Sequence, residues 1–338
     1  YWTDFRGPRI LVTDKAEPGD KHLIAIHGFE IRPVPRGEKA GIPRMYLSYE
    51  AVDRLAFEID SFVHELDFAT LLPNSEERVE RLVREFDTDV FQKDVLALVR
   101  EIERARQGLS VLSDEAKRFK VYLIGHAHID MNWLWPWDET VNVIRRDFST
   151  VVSLMDKYPD LHFSQSQAVT YKAVEERYPN LFEQIKRKVH SGNWDITASM
   201  WVEADLNMIG SESLVRQILY SKRYLRDRFG FEPSVCWEPD TFGHIWTLPQ
   251  VLKRSAINGY YFMRCGRGLP LFRWQGPDGS EVLAFNSVYN NSVTPKNIVE
   301  TAKTFYQKYG LRTSMFVYGV GDHGGGPVVE DINATYAM

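Results

Sequence analysis

From Lys120 onward the chain alternates short apolar runs with longer amphipathic segments, and this alternation limits the fold more than any single motif. Runs at 121–126, 161–166, 194–202, 234–238, 259–264 and 315–320 are rich in β-branched and aromatic residues and too short for helices, so they read as strands. Helical patterns at 138–157, 170–190, 211–229, 246–256 and 295–309 lie between them. Two helices carry clear end signals. Thr294 stands as an N-cap with Pro295 at the first helical position and Gly310 past the end, and Ser211 opens a helix that closes at Gly230. Repeated strand, helix, strand spacing predicts an α/β fold with mainly parallel strands in a β/α barrel-like domain, helices outside. Residues 272–285 interrupt the pattern with a hairpin signal, its turn on Pro277, Asp278 and Gly279.

The chain upstream is different in kind. Residues 1–50 predict a partial β module, with strand character at 21–33 and 45–50 around a Pro/Gly-rich loop. Residues 51–113 predict a helical linker, in which Val52, Leu55, Ala56, Ile59 and Val63 keep helical spacing. The α/β catalytic domain is then expected over 114–338. A net charge of -5 and a pI near 6.0 provide no electrostatic footprint for nucleic acid, and no Lys/Arg cluster suggests a membrane surface. Cys236 and Cys265 are too few for a disulfide framework, no apolar run reaches the ~18 residues of a membrane span, and the N-terminus lacks a signal-peptide pattern. A cytoplasmic protein, with homo-oligomerisation open, is the expectation.

In parallel α/β folds the C-terminal ends of the strands form one rim, which carries the site. Polar motifs fall there. The first strand ends in His126, His128 and Asp130, the second in Gln165 and Gln167, the third in Glu203 and Asp205, the fourth in Glu238 and Asp240, and the sixth in Asp322 and His323. Side chains at i, i+2 and i+4 share a strand face, so the first triplet presents two imidazoles and a carboxylate together, a donor set that suits zinc or a similar divalent ion. The alternative is a pair of core histidines beside a turn aspartate. Asp240 sits in the tight segment CWEPDTFGH and reads as a nucleophile, a metal ligand or a helix cap. Asp322 lies in YGVGDHGGGP, where so much glycine implies close approach of backbone or ligand. Glycoside hydrolysis needs two carboxylates across a sugar, and Asp240 with Asp322 is the pair chosen here. Nine Trp residues, several beside these motifs, fit a carbohydrate site in which flat rings cover a sugar face, although core packing accounts for many of them equally well.

The segments GHAHIDMNWLWPW (125–137), MWVEAD with SESLVRQ (200–205, 211–217), WEPDTFGH with LPQ (237–244, 248–250) and GDHGGGP (321–327) together resemble the glycoside hydrolase family 38 α-mannosidases, in the family's order. The style is similar to the cytosolic and bacterial branch, whose small β domain and helical linker precede the catalytic domain. The resemblance implies a retaining enzyme that removes α-linked mannose from an oligosaccharide or glycoside, with Zn2+ or Co2+ in the site. It implies His128, Asp130 and Asp240 as metal ligands, Asp240 also as nucleophile, and Asp322 as acid/base. His126 and His323 become further ligand or supporting candidates, and Trp133, Glu203 and Arg264 sugar contacts. Family chains continue into a helical bundle and large β domains that supply another ligand histidine, so a catalytic domain cut short at its C-terminus is expected here. Two other readings compete: a metal-dependent deacetylase or hydrolase on a related barrel, and an inactive carbohydrate-binding fragment.

Overall fold

A computed structural model describes residues 50–92, 95–321 and 323–338. The chain divides into two compact units, Tyr1–Phe57 and Glu58–Met338. Of the first, only the opening turns of a helix are described, so the β module expected over 1–50 lies outside the described residues.

The stretch read as a linker is helical: α1 (Glu50–Ala69), α2 (Glu76–Glu85), α3 (Val95–Leu109) and the single turn α4 (Ser113–Ala116). Arg106 on α3 ties this layer to α1 through Glu58 at 2.7 Å and Glu65 at 2.9 Å. The alternating region follows as β1 (Lys120–His126), α5 (Trp137–Lys157), β2 (Phe163–Gln165), α6 (Ala168–Arg177), α7 (Pro179–His190) and β3 (Trp194–Ile196). It continues as α8 (Ser211–Phe229), β4 (Val235–Glu238), α9 (Leu248–Arg254), β5 (Gly259–Phe262), β6 (Leu271–Gln275), β7 (Glu281–Asn286), α10 (Pro295–Tyr309), β8 (Thr313–Tyr318) and α11 (Val329–Ala337).

Two four-stranded sheets result, in the orders β3-β2-β1-β8 and β4-β5-β7-β6. All pairs are parallel except β6 with β7, the hairpin read from Pro277–Asp278–Gly279. The mainly parallel α/β class is therefore present, and no ladder among the described residues closes the strands into a ring. Two details differ from the sequence reading. The helix expected over 170–190 is two helices, because Pro179 disfavours helical backbone at Tyr178 and then serves as the first residue of α7. The strand expected over 194–202 stops at Ile196. Beyond it the backbone leaves the ladder in a tight turn at 197–199, then runs beside the start of α6, with Ala168 N–H donating to Met200 O (3.1 Å) and Val169 N–H to Trp201 O (3.0 Å).

The core behind the first sheet is aromatic. Trp194 packs edge-on against Phe163 (4.7 Å between ring centroids) and Phe148 (5.1 Å), with Tyr171 beside them, all essentially buried. Each such ring contributes about 2–3 kcal/mol by leaving water. This layer fixes where the strand ends lie, and so where the rim forms.

Candidate active site

Strand β1 ends at His126, and the chain leaves it carrying His128 and Asp130 onto the rim. His126 turns into the interior. Its Nδ1 lies 2.8 Å from Ser164 O, and its ring packs against Trp237 at 5.5 Å. Burial pushes its pKa down to about 3 against the pull of the Ser164 carbonyl, so the imidazole is neutral. It donates Nδ1–H to Ser164 O, and its buried Nε2 makes no hydrogen bond among the described residues. His128 is also buried but sits among carboxylates. Its Nε2 is 3.4 Å from Asp130 Oδ1 and 3.9 Å from Asp240 Oδ2, and its Nδ1 is 3.2 Å from Glu203 Oε2. Burial alone would lower its pKa, but the charge of Glu203 and the contact with Asp130 outweigh that and hold it up at about 10.

Asp240 follows β4. Its backbone N–H donates to Glu203 Oε1, and its Oδ1 lies 2.7 Å from Arg264 Nη2. The guanidinium of Arg264 also lies over Phe242, 4.6 Å from the ring centroid. His128, Asp130 and Asp240 thereby bring three ligand atoms within 4.8 Å of one another. The donor set of one imidazole and two carboxylates fits a zinc-like divalent ion, and an observation of this site supports the fit. Neither ring nitrogen of His128 makes an aligned hydrogen bond among the described residues, although both are buried.

The other sequence candidates fall around this cluster. His323 accepts the Asp130 N–H at Nδ1 (3.1 Å), stacks on Trp135 with centroids 3.9 Å apart, and lies 3.5 Å from Asp130 Oδ2. Neither it nor His126 joins the three-residue group. Trp133 is exposed and meets Trp135 edge-on at 5.8 Å. Glu203 is nearly buried behind His128 and Asp240, where it orients both, a position sequence reasoning did not give it. Asp322 lies outside the described residues. Its glycine-rich surroundings are explained by close approach of backbone. Gly324 has φ +77° and an added Cβ would lie 2.4 Å from Val143 and 2.5 Å from Asp147, while Gly325 N–H donates to Asp147 Oδ2 at 2.9 Å.

Three residues drew no role from the sequence. Glu238 is buried beside Glu203, and burial followed by that neighbouring charge raises its pKa well above the usual range. Tyr289 packs against His128, ring centroids 5.0 Å apart. Gln167 hydrogen-bonds on both sides of the cluster. The lone signal that could have found it was its place at a strand's C-terminal end.

The sequence matches the model described as glycosyl hydrolases family 38 N-terminal domain across residues 118–335. The chain belongs to that family. It is 36% identical over 240 residues to alpha-mannosidase G of Dictyostelium discoideum, covering 68% of this chain and 22% of that protein. It is 33% identical over 216 residues to human alpha-mannosidase 2C1, covering 61% of this chain and 21% of that protein. The chain thus spans about a fifth of the length of these relatives. An alpha-mannosidase structure from Enterococcus faecalis V583 shares the fold, with a TM-score of 0.57 at 20% identity over 65% of this chain and 27% of that one. Among the described residues no helix is long and apolar enough to cross a membrane.

Proposed function

We propose that this chain carries the catalytic centre of a retaining α-mannosidase that acts on terminal α-linked mannose of an oligosaccharide or glycoside. The observation that carries the reading is convergence. His128 and Asp130 leave β1 and Asp240 leaves β4, more than a hundred residues on, yet their ligand atoms share one 4.8 Å cluster at the rim. His128, Asp130 and Asp240 would hold a divalent cation, Zn2+ or Co2+, and when bound it supplies positive charge that anchors sugar hydroxyls.

The steps themselves belong to the side chains. Arg264 fixes Asp240 Oδ1, and Glu203 fixes the Asp240 backbone, so the carboxylate is pre-aimed. One Asp240 oxygen attacks the anomeric carbon as the glycosidic C–O bond breaks, and Asp322 gives the departing oxygen its proton. Asp322 then takes a proton from water, whose oxygen displaces Asp240 and leaves the anomeric configuration unchanged. The role of Asp322 rests on the family resemblance. Exposed Trp133 offers a ring for the apolar face of a sugar. Two seams support a barrel-like arrangement of the sheets: Ser199 Oγ donates to Val235 O at 2.6 Å, and Gly319 N–H to Asn291 O at 3.1 Å.

Turnover of an aryl α-mannoside by metal-loaded protein, followed by trapping with a fluorinated mannosyl donor and mass spectrometry, tests this. The expected label is on Asp240. A label elsewhere removes the mechanism. Asp322→Asn should slow substrates with poor leaving groups most, since those need the proton; equal losses across leaving groups would remove Asp322 as the acid.

A further inference from the structure

Gln167 stands between β2 and α6 in a conformation that most residues avoid, with φ +65° and ψ +100°. Left-handed backbone of this kind costs a non-glycine residue free energy, and it persists where the surroundings over-determine it. The surroundings here are specific. The Gln167 side chain is buried, 2% exposed, and its amide is used at both ends. Nε2 donates to Ile129 O at 2.7 Å, inside the 128–130 segment. Oε1 accepts the Glu203 N–H at 3.0 Å. Glu203 in turn holds the Asp240 N–H with one carboxylate oxygen and faces His128 Nδ1 at 3.2 Å with the other. The Gln167 backbone carbonyl is held too, by the Thr170 hydroxyl at 2.8 Å and the Thr170 N–H at 3.1 Å.

We propose that Gln167 is the positioning residue of this site: its single amide group clamps the segment carrying His128 and Asp130 to the segment carrying Glu203, and through Glu203 sets Asp240. The inference rests on the metal-dependent reading above. Among the described residues the Gln167 side chain hydrogen-bonds to Ile129 and Glu203 and to none of His128, Asp130 and Asp240. It acts by fixing the separation of segments that the sheets bring close without joining, since β1 has ended at His126 and β3 at Ile196. A donor and an acceptor in one rigid group are what that task needs. Asn is shorter by one methylene, Glu lacks the donor, and Met keeps the length with neither function. The strained backbone is the cost of aiming the amide inward from the residue just before α6.

The test compares Gln167→Met with Gln167→Gly in the full 338-residue chain. Glycine adopts positive φ freely, so it relieves the strain while deleting the clamp. The readouts are Co2+ affinity by titration calorimetry, deuterium uptake at the amides of Glu203 and Asp240, and the thermal midpoint. Both variants should bind Co2+ about ten-fold more weakly or worse, the loss typical of groups that orient metal ligands. Both should exchange the Glu203 and Asp240 amides faster while β1 amides stay unchanged, and Gln167→Gly should melt above Gln167→Met. A merely structural role would make affinity follow the melting temperature. Gln167→Gly with wild-type Co2+ affinity and wild-type exchange overturns the proposal. If the wild-type chain takes up no Co2+ but both variants still loosen the two amides, the metal reading fails and the clamp stands.

Discussion

The interior behind β1, β2 and β3 and the rim at their C-terminal ends are built from neighbouring residues yet treat buried polarity in opposite ways. Inside, Trp194 Nε1 donates to Tyr171 OH at 2.9 Å, and that hydroxyl donates to Gln165 O at 3.1 Å, so the polar handles of two buried rings are satisfied within the fold. At the rim, both ring nitrogens of His128 are buried without an aligned hydrogen bond among the described residues. The partners of His128 are instead the carboxylates of Glu203, Asp130 and Asp240 at 3.2, 3.4 and 3.9 Å, a crowd of charge that is costly to bury. The interior pairs neutral groups with one another, while the rim gathers charged groups on side chains that could hold a cation. Stability and function are therefore written in separate layers a few residues apart, and substitutions should separate them.

The largest expected effect is at the rim. Asp240→Asn removes the nucleophile and one charge of the three-residue group, so kcat/KM for an aryl α-mannoside should fall on the order of 10⁴-fold or more. Metal retention through dialysis should be lost with it. The denaturation midpoint of the metal-free protein should change little, because Asn keeps the size and polarity of the side chain and the Arg264 ion pair it loses is partly exposed. Loss of activity with metal retention intact would show that the nucleophile and the ligand are different residues.

Next comes the interior. Trp194→Ala deletes the ring that joins Phe163, Phe148 and Tyr171, and large-to-small changes at such sites cost about 3–5 kcal/mol. Urea unfolding should show the midpoint dropping while Co2+ affinity of the remaining folded protein is retained. A variant that kept its stability but lost the metal would erase the division drawn above.

The same division governs what the sequence could tell. Features set by local chemistry were legible. Thr294 caps α10 by accepting the Asn297 N–H at 3.2 Å, and Gly230 and Gly310 end their helices at φ +79° and +66°. The hairpin turn and the ends of β1 and β4 fell where periodicity and breakers put them, whereas β3 stopped six residues short of the expected strand. The candidate ligands His128, Asp130 and Asp240 were legible as rim residues because strand C-terminal ends converge in parallel folds. Partnerships were not legible. Period-two reasoning puts His126 and His128 on one face, and both rings do lie near Tyr289, but it cannot say that one is neutral against a carbonyl and the other charged among carboxylates. Glu203 was legible as a rim carboxylate, and the resemblance implied it as a sugar contact; its place behind His128 depends on the irregular path after Ile196, which no local pattern encodes. Gln167 was visible as a position, not as a bridge between segments far apart in the chain.

A smaller effect probes the boundary between the two layers. Asp147 on α5 is buried and accepts the Gly325 N–H at 2.9 Å, anchoring the glycine-rich loop from the interior side, with Arg146 Nε 2.9 Å from its other oxygen. Burial raises its pKa to about 6, with Arg146 and the Gly325 N–H opposing that shift only in part. In the unfolded chain the same group titrates near ~3.9. The folded state therefore binds the extra proton between about pH 4 and pH 6, and Asp147 favours folding at the acid end of that window and disfavours it as pH rises through the folded value. A shift of about two units corresponds to at most about 3 kcal/mol. Asp147→Asn keeps an acceptor for Gly325 and removes the titration, so its stability relative to wild type should rise between pH 4 and pH 7 by up to that amount, read from urea midpoints at each pH. Parallel curves for the two proteins would mean that Asp147 is held in water's reach, and that the loop is anchored from the rim instead of from the core.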